Sequence, residues 1–258
     1  MFPEGIRKVS APLAANAVPA ATSKAIAPSA SAVRTIGGSL RPVSIRQVKF
    51  SVVLFDLDGT IVDSGWMILE SFRHATRTVL GRKIPDEELM ARVGSGHLVE
   101  QMADFDAGKA EQLAHAYREF YRPLHSELEA FPGMLELLEQ LHGEGRKLGI
   151  VSAKRGDIVQ LALDALGFGH MMDVVVGSDE APRGKPHPDQ ILVALERLGA
   201  EPDDTAYVGD APFDIAAAKA AGVHAIGVTW GGIHTRERME AEGPDAVVDT
   251  AEELYDVL

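Results

Sequence analysis

The sequence contains no cysteine, which excludes disulfide bonds, thiolate metal sites and cysteine nucleophiles. It also lacks any run of roughly 18 uninterrupted apolar residues, the length that a membrane span needs, and this excludes a membrane-embedded protein. Acidic residues are scarce before position 50, where seven Arg and Lys stand against Glu4 alone. Because the net charge of the whole chain is -13, the remainder is strongly acidic. We therefore expect no general binding to nucleic acid.

Residues 1–46 differ in composition from the rest of the chain. They hold ten Ala and five Pro and show no apolar periodicity, a pattern that favours disorder. Three interpretations stay open: a plastid or mitochondrial transit peptide, a solvated tail, or an extension ahead of a later start near Val43 or Val48. We expect a cytoplasmic protein, or an organellar one if this segment is a transit peptide.

Short apolar runs and helical patterns alternate in the rest of the chain. A length of 258 residues allows one or two domains. The runs predict buried strands at 50–55, 147–152, 174–177, 206–209, 225–228 and, at an edge, 246–248. Apolar residues at helical spacing lie between them, and three of these patterns end at Gly167, Gly199 and Gly222. This alternation predicts an α/β fold: a Rossmann-like parallel sheet core with helices on both faces.

One interval of about ninety residues, between the first and second strands, interrupts the alternation. It shows only helical stripes, such as Ile68, Phe72 and Val79. We predict a small all-helical cap over 65–128, inserted into a core formed by 47–64 and 129–258.

Carboxylates follow two of the predicted strands. Asp56 and Asp58 lie in the run Asp-Leu-Asp-Gly-Thr, and Asp210 and Asp214 lie in Gly-Asp-Ala-Pro-Phe-Asp. The ends of neighbouring parallel strands meet at one edge of a sheet, so Asp56, Asp58 and Asp210 could form a hard-oxygen site suited to Mg²⁺. The alternatives are solvated turn residues and, for Asp214, an acid in the first turn of a helix.

Two further segments offer groups for an anion. Ser152, at the end of the second strand, precedes Ala153, and this hydroxyl with its backbone N–H groups could cradle an anion; Ser152 could also be a helix N-cap. Lys185 lies in Gly-Lys-Pro-His-Pro, held between a glycine and a proline, although it could be an ordinary surface lysine.

Together these four segments resemble the motifs of the haloacid dehalogenase superfamily of phosphohydrolases. The resemblance covers about residues 50–250, with Asp56–Thr60, Ser152, Lys185 and 209–214 matching its four motifs in order. The helical segment after the first strand is similar to the cap of the subgroup with phosphoglycolate phosphatase-like and pyrophosphatase-like members.

The resemblance implies a role for each motif residue. Asp56 would be the nucleophile that forms an aspartyl-phosphate, and Asp58 would be the general acid and base. Mg²⁺ would be held by Asp56, the backbone carbonyl of Asp58, and Asp210. The phosphoryl group would be bound by Thr60, Ser152, Ala153 and Lys185, and Asp214 would orient Lys185 or a metal-bound water.

The resemblance predicts an Mg-dependent phosphatase acting on a small phosphorylated metabolite, such as a phosphoglycolate-like monoester or pyrophosphate. A dehalogenase is disfavoured, because carbon–halogen cleavage has no need of the acid Asp58. A phosphomutase of the same superfamily and a non-catalytic phosphate-binding module stay open as alternatives. Arg92 and His97, in the predicted cap, are candidates for contact with an anionic leaving group. The alternative is that Arg92 is a solvated helix residue and that His97 begins the next helix. The oligomeric state is left open.

Overall fold

The computed structural model describes residues 49–91 and 93–258. The interpretations of residues 1–46 and of Arg92 lie outside this part of the chain. Among the described residues, none of the helices combines the length and the apolar character required to cross a membrane.

Six parallel strands form one sheet, as the sequence predicts. They are β1 (Val52–Phe55), β2 (Lys147–Val151), β3 (Val174–Val176), β4 (Thr205–Gly209), β5 (His224–Val228) and β6 (Ala246–Val248). Their order across the sheet is β3-β2-β1-β4-β5-β6. Prediction and structure differ only at the ends: Phe50 and Ser51 precede β1, and Ser152 and Gly177 follow β2 and β3.

Helices cover both faces of this sheet, so the predicted fold class is confirmed. Successive residues of β1 alternate between two apolar clusters, with Val53 and Phe55 in one and Val52 and Leu54 in the other. The first cluster includes side chains of α5 (Met134–Gly143), α6 (Gly156–Leu166) and α10 (Ala251–Val257). The second includes side chains of α7 (Asp189–Leu198), α8 (Pro212–Ala221) and α9 (Arg236–Ala241).

The interval between β1 and α5 is helical wherever it has regular secondary structure. It contains α1 (Gly65–Leu80), α2 (Asp86–Met90), α3 (Leu98–Ala103) and α4 (Ala110–Tyr121), with short 3-10 turns at Ala107–Lys109 and Arg122–Glu127. Phe72 of α1 meets Tyr117 of α4 edge to face at 5.0 Å. We call residues 65–128 the helical insertion; its extent as a separate domain stays a prediction.

The register of the central strands decides which residues meet at the carboxyl edge of the sheet. Phe55 lies beside Ile150 of β2 and Val208 of β4. Asp56 therefore leaves the sheet next to the ends of both neighbours. The segments that follow β1, β2 and β4 consequently share one edge of the sheet.

Candidate active site

The loop after β1 is built around Gly59. Its φ of +79° lies in the left-handed region, and a Cβ atom there would stand 2.0 Å from Oδ2 of Asp210. Only glycine allows both the turn and this close approach. The first loop is thereby brought against the segment that follows β4. Trp230 supports the same loop, because its Nε1 donates to the carbonyl of Thr60 at 2.9 Å.

Lys185 joins two of the predicted acids. Its Nζ lies 2.7 Å from Oδ1 of Asp56 and 2.7 Å from Oδ1 of Asp214. Burial alone would lower the pKa of this ammonium, but the two carboxylates outweigh it and raise the pKa above its ordinary value. Lys185 is therefore a permanent buried cation.

Asp214 lies in the first turn of α8, which agrees with its interpretation as an acid at a helix start. It is nevertheless fully buried. Its Oδ1 accepts from the hydroxyl of Tyr207 at 3.1 Å, and its Oδ2 accepts from the amide of Ala211 at 3.0 Å. These bonds, together with Lys185, occupy the carboxylate. Its geometry suits the orientation of Lys185 better than contact with a ligand.

Asp56 is 4 % exposed. Burial raises the pKa of its carboxyl to about 7, Lys185 opposes the rise, and the neighbouring charges of Asp214 and Asp58 add to it. The group thus ionises close to neutral pH unless a further cation is present.

The buried acids form a cluster with more negative than positive charge. Carboxylate oxygens of Asp56, Asp210 and Asp214 lie within 4.8 Å of one another, and Lys185 compensates only one charge. Within the part of the chain that the structure describes, Oδ2 of Asp210 is buried without a hydrogen-bond partner. Burial, followed by the charges of Asp214 and Asp56, raises the pKa of Asp210 well above its usual value.

This donor set fits a divalent cation. An unpartnered carboxylate oxygen and an uncompensated buried charge are both costly, and a hard cation with oxygen ligands would relieve both. The cluster differs from the predicted set, because Asp214 takes the place of Asp58. Since the oxygens of Asp214 already have partners, Asp56 and Asp210 are the better placed side-chain ligands.

The predicted phosphate-binding residues are divided between a cavity wall and the interior. Ala153 lines the cavity, whereas Thr60, Ser152 and Lys185 are buried and are not among its lining residues. The interpretation of Ser152 as an N-cap is wrong: α6 has Arg155 at that position, and the hydroxyl of Ser152 accepts from the amide of Lys154 at 3.1 Å instead. Helix α6 begins only after a three-residue turn, so the strand end and the helix start are separate features.

A cavity of about 400 Å³ lies between this edge of the sheet and the helical insertion. Asp56, Asp58 and Asp210 line it from the core, and His97 lines it from the insertion, where it is also the N-cap of α3. Most of its remaining wall is apolar, contributed by Ile68, Phe72, Val93, Leu98, Val99 and Ile158.

The insertion is docked on the core loops. The amide of Gly96 donates to the carbonyl of Lys185 at 2.8 Å, and Nε2 of His234 lies 3.2 Å from the carbonyl of Val93. A Cβ atom at Gly184 would stand 3.1 Å from the backbone of Gly96. Residues 93–96 of the insertion are therefore held against the core loops at the edge of the cavity.

Sequence reasoning missed three residues beside Asp58. Nζ of Lys154 donates to the hydroxyl of Tyr117 at 3.1 Å and lies 4.0 Å from Oδ2 of Asp58. The hydroxyl of Tyr121 donates to Oδ1 of Asp58 at 3.1 Å. None of the three belongs to the set of site residues that the sequence predicts. The spacing of the two tyrosines, four residues apart on α4, was the available signal.

Comparison with known proteins places this arrangement in a family. The family model described as haloacid dehalogenase-like hydrolase matches residues 53–228. The pyrophosphatase PpaX of Bacillus mycoides is 34% identical over 212 residues, which are 82% of this chain and 98% of the relative.

Solved structures agree with this placement. A haloacid dehalogenase-like family hydrolase from Streptococcus pneumoniae matches with a TM-score of 0.73 and 26% identity, over 82% of this chain and 99% of the other. A protein described as a predicted phosphoglycolate phosphatase, from Haemophilus somnus, matches with a TM-score of 0.69 and 27% identity, over 81% and 99%. The chain belongs to the haloacid dehalogenase-like hydrolase family.

Proposed function

We propose that the protein is an Mg²⁺-dependent phosphatase that hydrolyses a small phosphorylated metabolite through an aspartyl-phosphate on Asp56. One observation carries the proposal. Asp56 lines the cavity with a carboxylate that is buried against Lys185, 2.7 Å away, and clustered with Asp210, whose Oδ2 has no hydrogen-bond partner among the described residues. A phosphoryl dianion can approach a carboxylate only where positive charge offsets the repulsion. Lys185 and a divalent cation held by the acids would supply that charge.

Each residue then has a chemical task. An oxygen of Asp56 attacks phosphorus as the bond to the leaving oxygen breaks, and Asp58 gives that oxygen its proton. Asp58 next takes a proton from the water that hydrolyses the intermediate. Lys185, beside Asp56, and the backbone at Ser152 and Ala153 would bind the transferring oxygens, with Ala153 exposed in the cavity wall. Asp56, Asp210 and the carbonyl of Asp58 would hold Mg²⁺, which supplies positive charge beside the nucleophile and the phosphoryl oxygens.

Substrate candidates come from the relatives and from the cavity. The names of the relatives mention pyrophosphate and phosphoglycolate, which are small and carry a second anionic group. In the cavity wall, Lys154 is a cation next to Asp58. We therefore propose a phosphoglycolate-like monoester or pyrophosphate as the substrate.

The test is release of inorganic phosphate from a metabolite panel that includes both compounds, with Mg²⁺ and with a chelator. We expect Mg²⁺-dependent release that Asp56→Asn abolishes. Asp164→Asn is the matched control, because Asp164 is exposed on α6 and outside the cavity. Turnover retained by Asp56→Asn would refute the nucleophile. Formation of an isomer without free phosphate would favour the phosphomutase alternative.

A further inference from the structure

The two oxygens of Asp58 have different surroundings. Oδ1 accepts a hydrogen bond from the hydroxyl of Ser64 at 2.5 Å and another from the hydroxyl of Tyr121 at 3.1 Å. A carboxyl oxygen has two lone-pair sites, so these donors fill Oδ1. This arrangement therefore favours a proton on Oδ2 of the carboxyl group.

Tyr121 is fixed as a donor. It is buried, stacked on Tyr117 at 5.4 Å and in edge contact with His125 at 4.9 Å. Burial and then the charge of Asp58 raise the pKa of its hydroxyl well above the ordinary value, so this hydroxyl keeps its proton over the working pH range. Ser64 is also fully buried.

Lys154 defines the surroundings of the second oxygen. Its ammonium lies 4.0 Å from Oδ2 and 4.0 Å from the centre of the Tyr121 ring, and it donates to Tyr117. An ammonium cannot accept a hydrogen bond, so it does not compete for the proton on Oδ2.

We propose that Tyr121 is a positioning residue for the acid–base group: together with Ser64 it occupies Oδ1 of Asp58 and thereby directs the transferable proton to Oδ2, beside Lys154. The inference rests on the proposed function, in which Asp58 is the acid and base. As the P–O bond breaks, its electron pair goes to the leaving oxygen and the proton moves there from Oδ2. The attacking water later returns a proton to the same oxygen.

The test compares two leaving groups in the full-length enzyme. Phosphoglycolate leaves as an alkoxide, a strong base that needs the proton, whereas p-nitrophenyl phosphate leaves as a weakly basic phenolate that hardly needs it. General acid catalysis contributes about 10²–10⁴-fold. We expect Tyr121→Phe to lower the single-turnover rate of phosphoryl transfer to Asp56, measured by rapid quench, by roughly tenfold or more for phosphoglycolate and by less than about twofold for p-nitrophenyl phosphate. Hydrolysis of the intermediate is common to both substrates and does not enter this rate. Ser64→Ala should show the same selectivity.

A structural role would not discriminate between the two substrates. An equal loss on both would overturn the inference, and so would no loss on either. Tyr255→Phe is the matched control, because it removes a hydroxyl that binds Glu144 at 2.6 Å outside the cavity. If Tyr121→Phe fails to fold, the effect of Ser64→Ala on the two substrates tests the inference in the same way.

Asp58→Asn separates this inference from the proposed function. If that variant hydrolyses phosphoglycolate as fast as the wild type, the acid–base assignment itself fails. If it loses phosphoglycolate turnover while Tyr121→Phe affects both substrates equally, only the positioning role fails.

Discussion

The raised pKa of Asp56 makes the stability of the metal-free protein depend on pH in an unusual direction. The carboxyl has an ordinary pKa of 3.8 and a value of about 7 in the folded protein. Between these values the unfolded chain has lost the proton that the folded protein keeps. Stability therefore falls as pH rises through this window, and the loss is complete above about 7.

The size of the effect follows from the shift. One pKa unit corresponds to about 1.4 kcal/mol, so ionising Asp56 costs the folded state up to roughly 4 kcal/mol. About 3 kcal/mol of this is lost between pH 5 and pH 8. Asp56→Asn removes the titration, and Lys185, whose pKa is raised, keeps its charge throughout.

The assay is urea unfolding of the wild type and Asp56→Asn in chelator, from pH 5 to pH 8. We expect the free energy of unfolding of the wild type, relative to the variant, to fall by about 3 kcal/mol over this range. Mg²⁺ should reverse the loss, because it binds the ionised carboxylates. Its dissociation constant should rise at least tenfold for each pH unit below about 7, because Asp210, whose pKa is also raised, must lose its proton as well.

Two results would refute this reasoning. One is a difference between wild type and variant that stays constant or grows with pH. The other is stabilisation by Mg²⁺ that is as large at pH 6 as at pH 8, because it would mean that the cation displaces no proton from the cluster.

Two further predictions concern the same cluster. Lys185→Met should destabilise the protein by about 3–5 kcal/mol at pH 8, because it leaves buried carboxylates uncompensated; a urea midpoint equal to that of the wild type would contradict the ion pairing. Gly59→Ala should abolish Mg²⁺-dependent turnover, because the new Cβ atom would meet Asp210. Gly81 is the control: its φ is +68°, and no described atom lies within 4 Å of a Cβ added there. Gly81→Ala should therefore lose only about 1–2 kcal/mol of stability and keep its activity. Equal activity of the two alanine variants would show that the contact with Asp210 is unimportant.

The residues brought together at the sheet edge could be predicted because each follows a strand. Asp56, Asp210 and the Ser152 segment lie directly after buried apolar runs, and parallel pairing places the ends of those runs side by side. Gly167 adopts the left-handed conformation at the end of α6, with a φ of +74°, as expected for a helix that stops at glycine.

Contacts between the insertion and the core could not be predicted in the same way. The meeting of Tyr121 with Asp58 depends on how α4 packs over the first loop, across 63 positions of the sequence. Helical periodicity identifies the buried face of α4 but not the part of the core that this face covers. The burial of Asp214 could not be predicted from the sequence either, because acids are common in the exposed first turn of a helix.

The central claim is that Asp56 becomes phosphorylated, and trapping the intermediate tests it most directly. The Asp58→Asn variant, which lacks the base for hydrolysis, is mixed with p-nitrophenyl phosphate and Mg²⁺, quenched in acid and digested for mass spectrometry. We predict one added phosphoryl group on the peptide that contains Asp56, absent when Asp56→Asn is also introduced. A phosphoryl group on Ser152 or another residue, or none during burst release of the phenolate, would contradict the account.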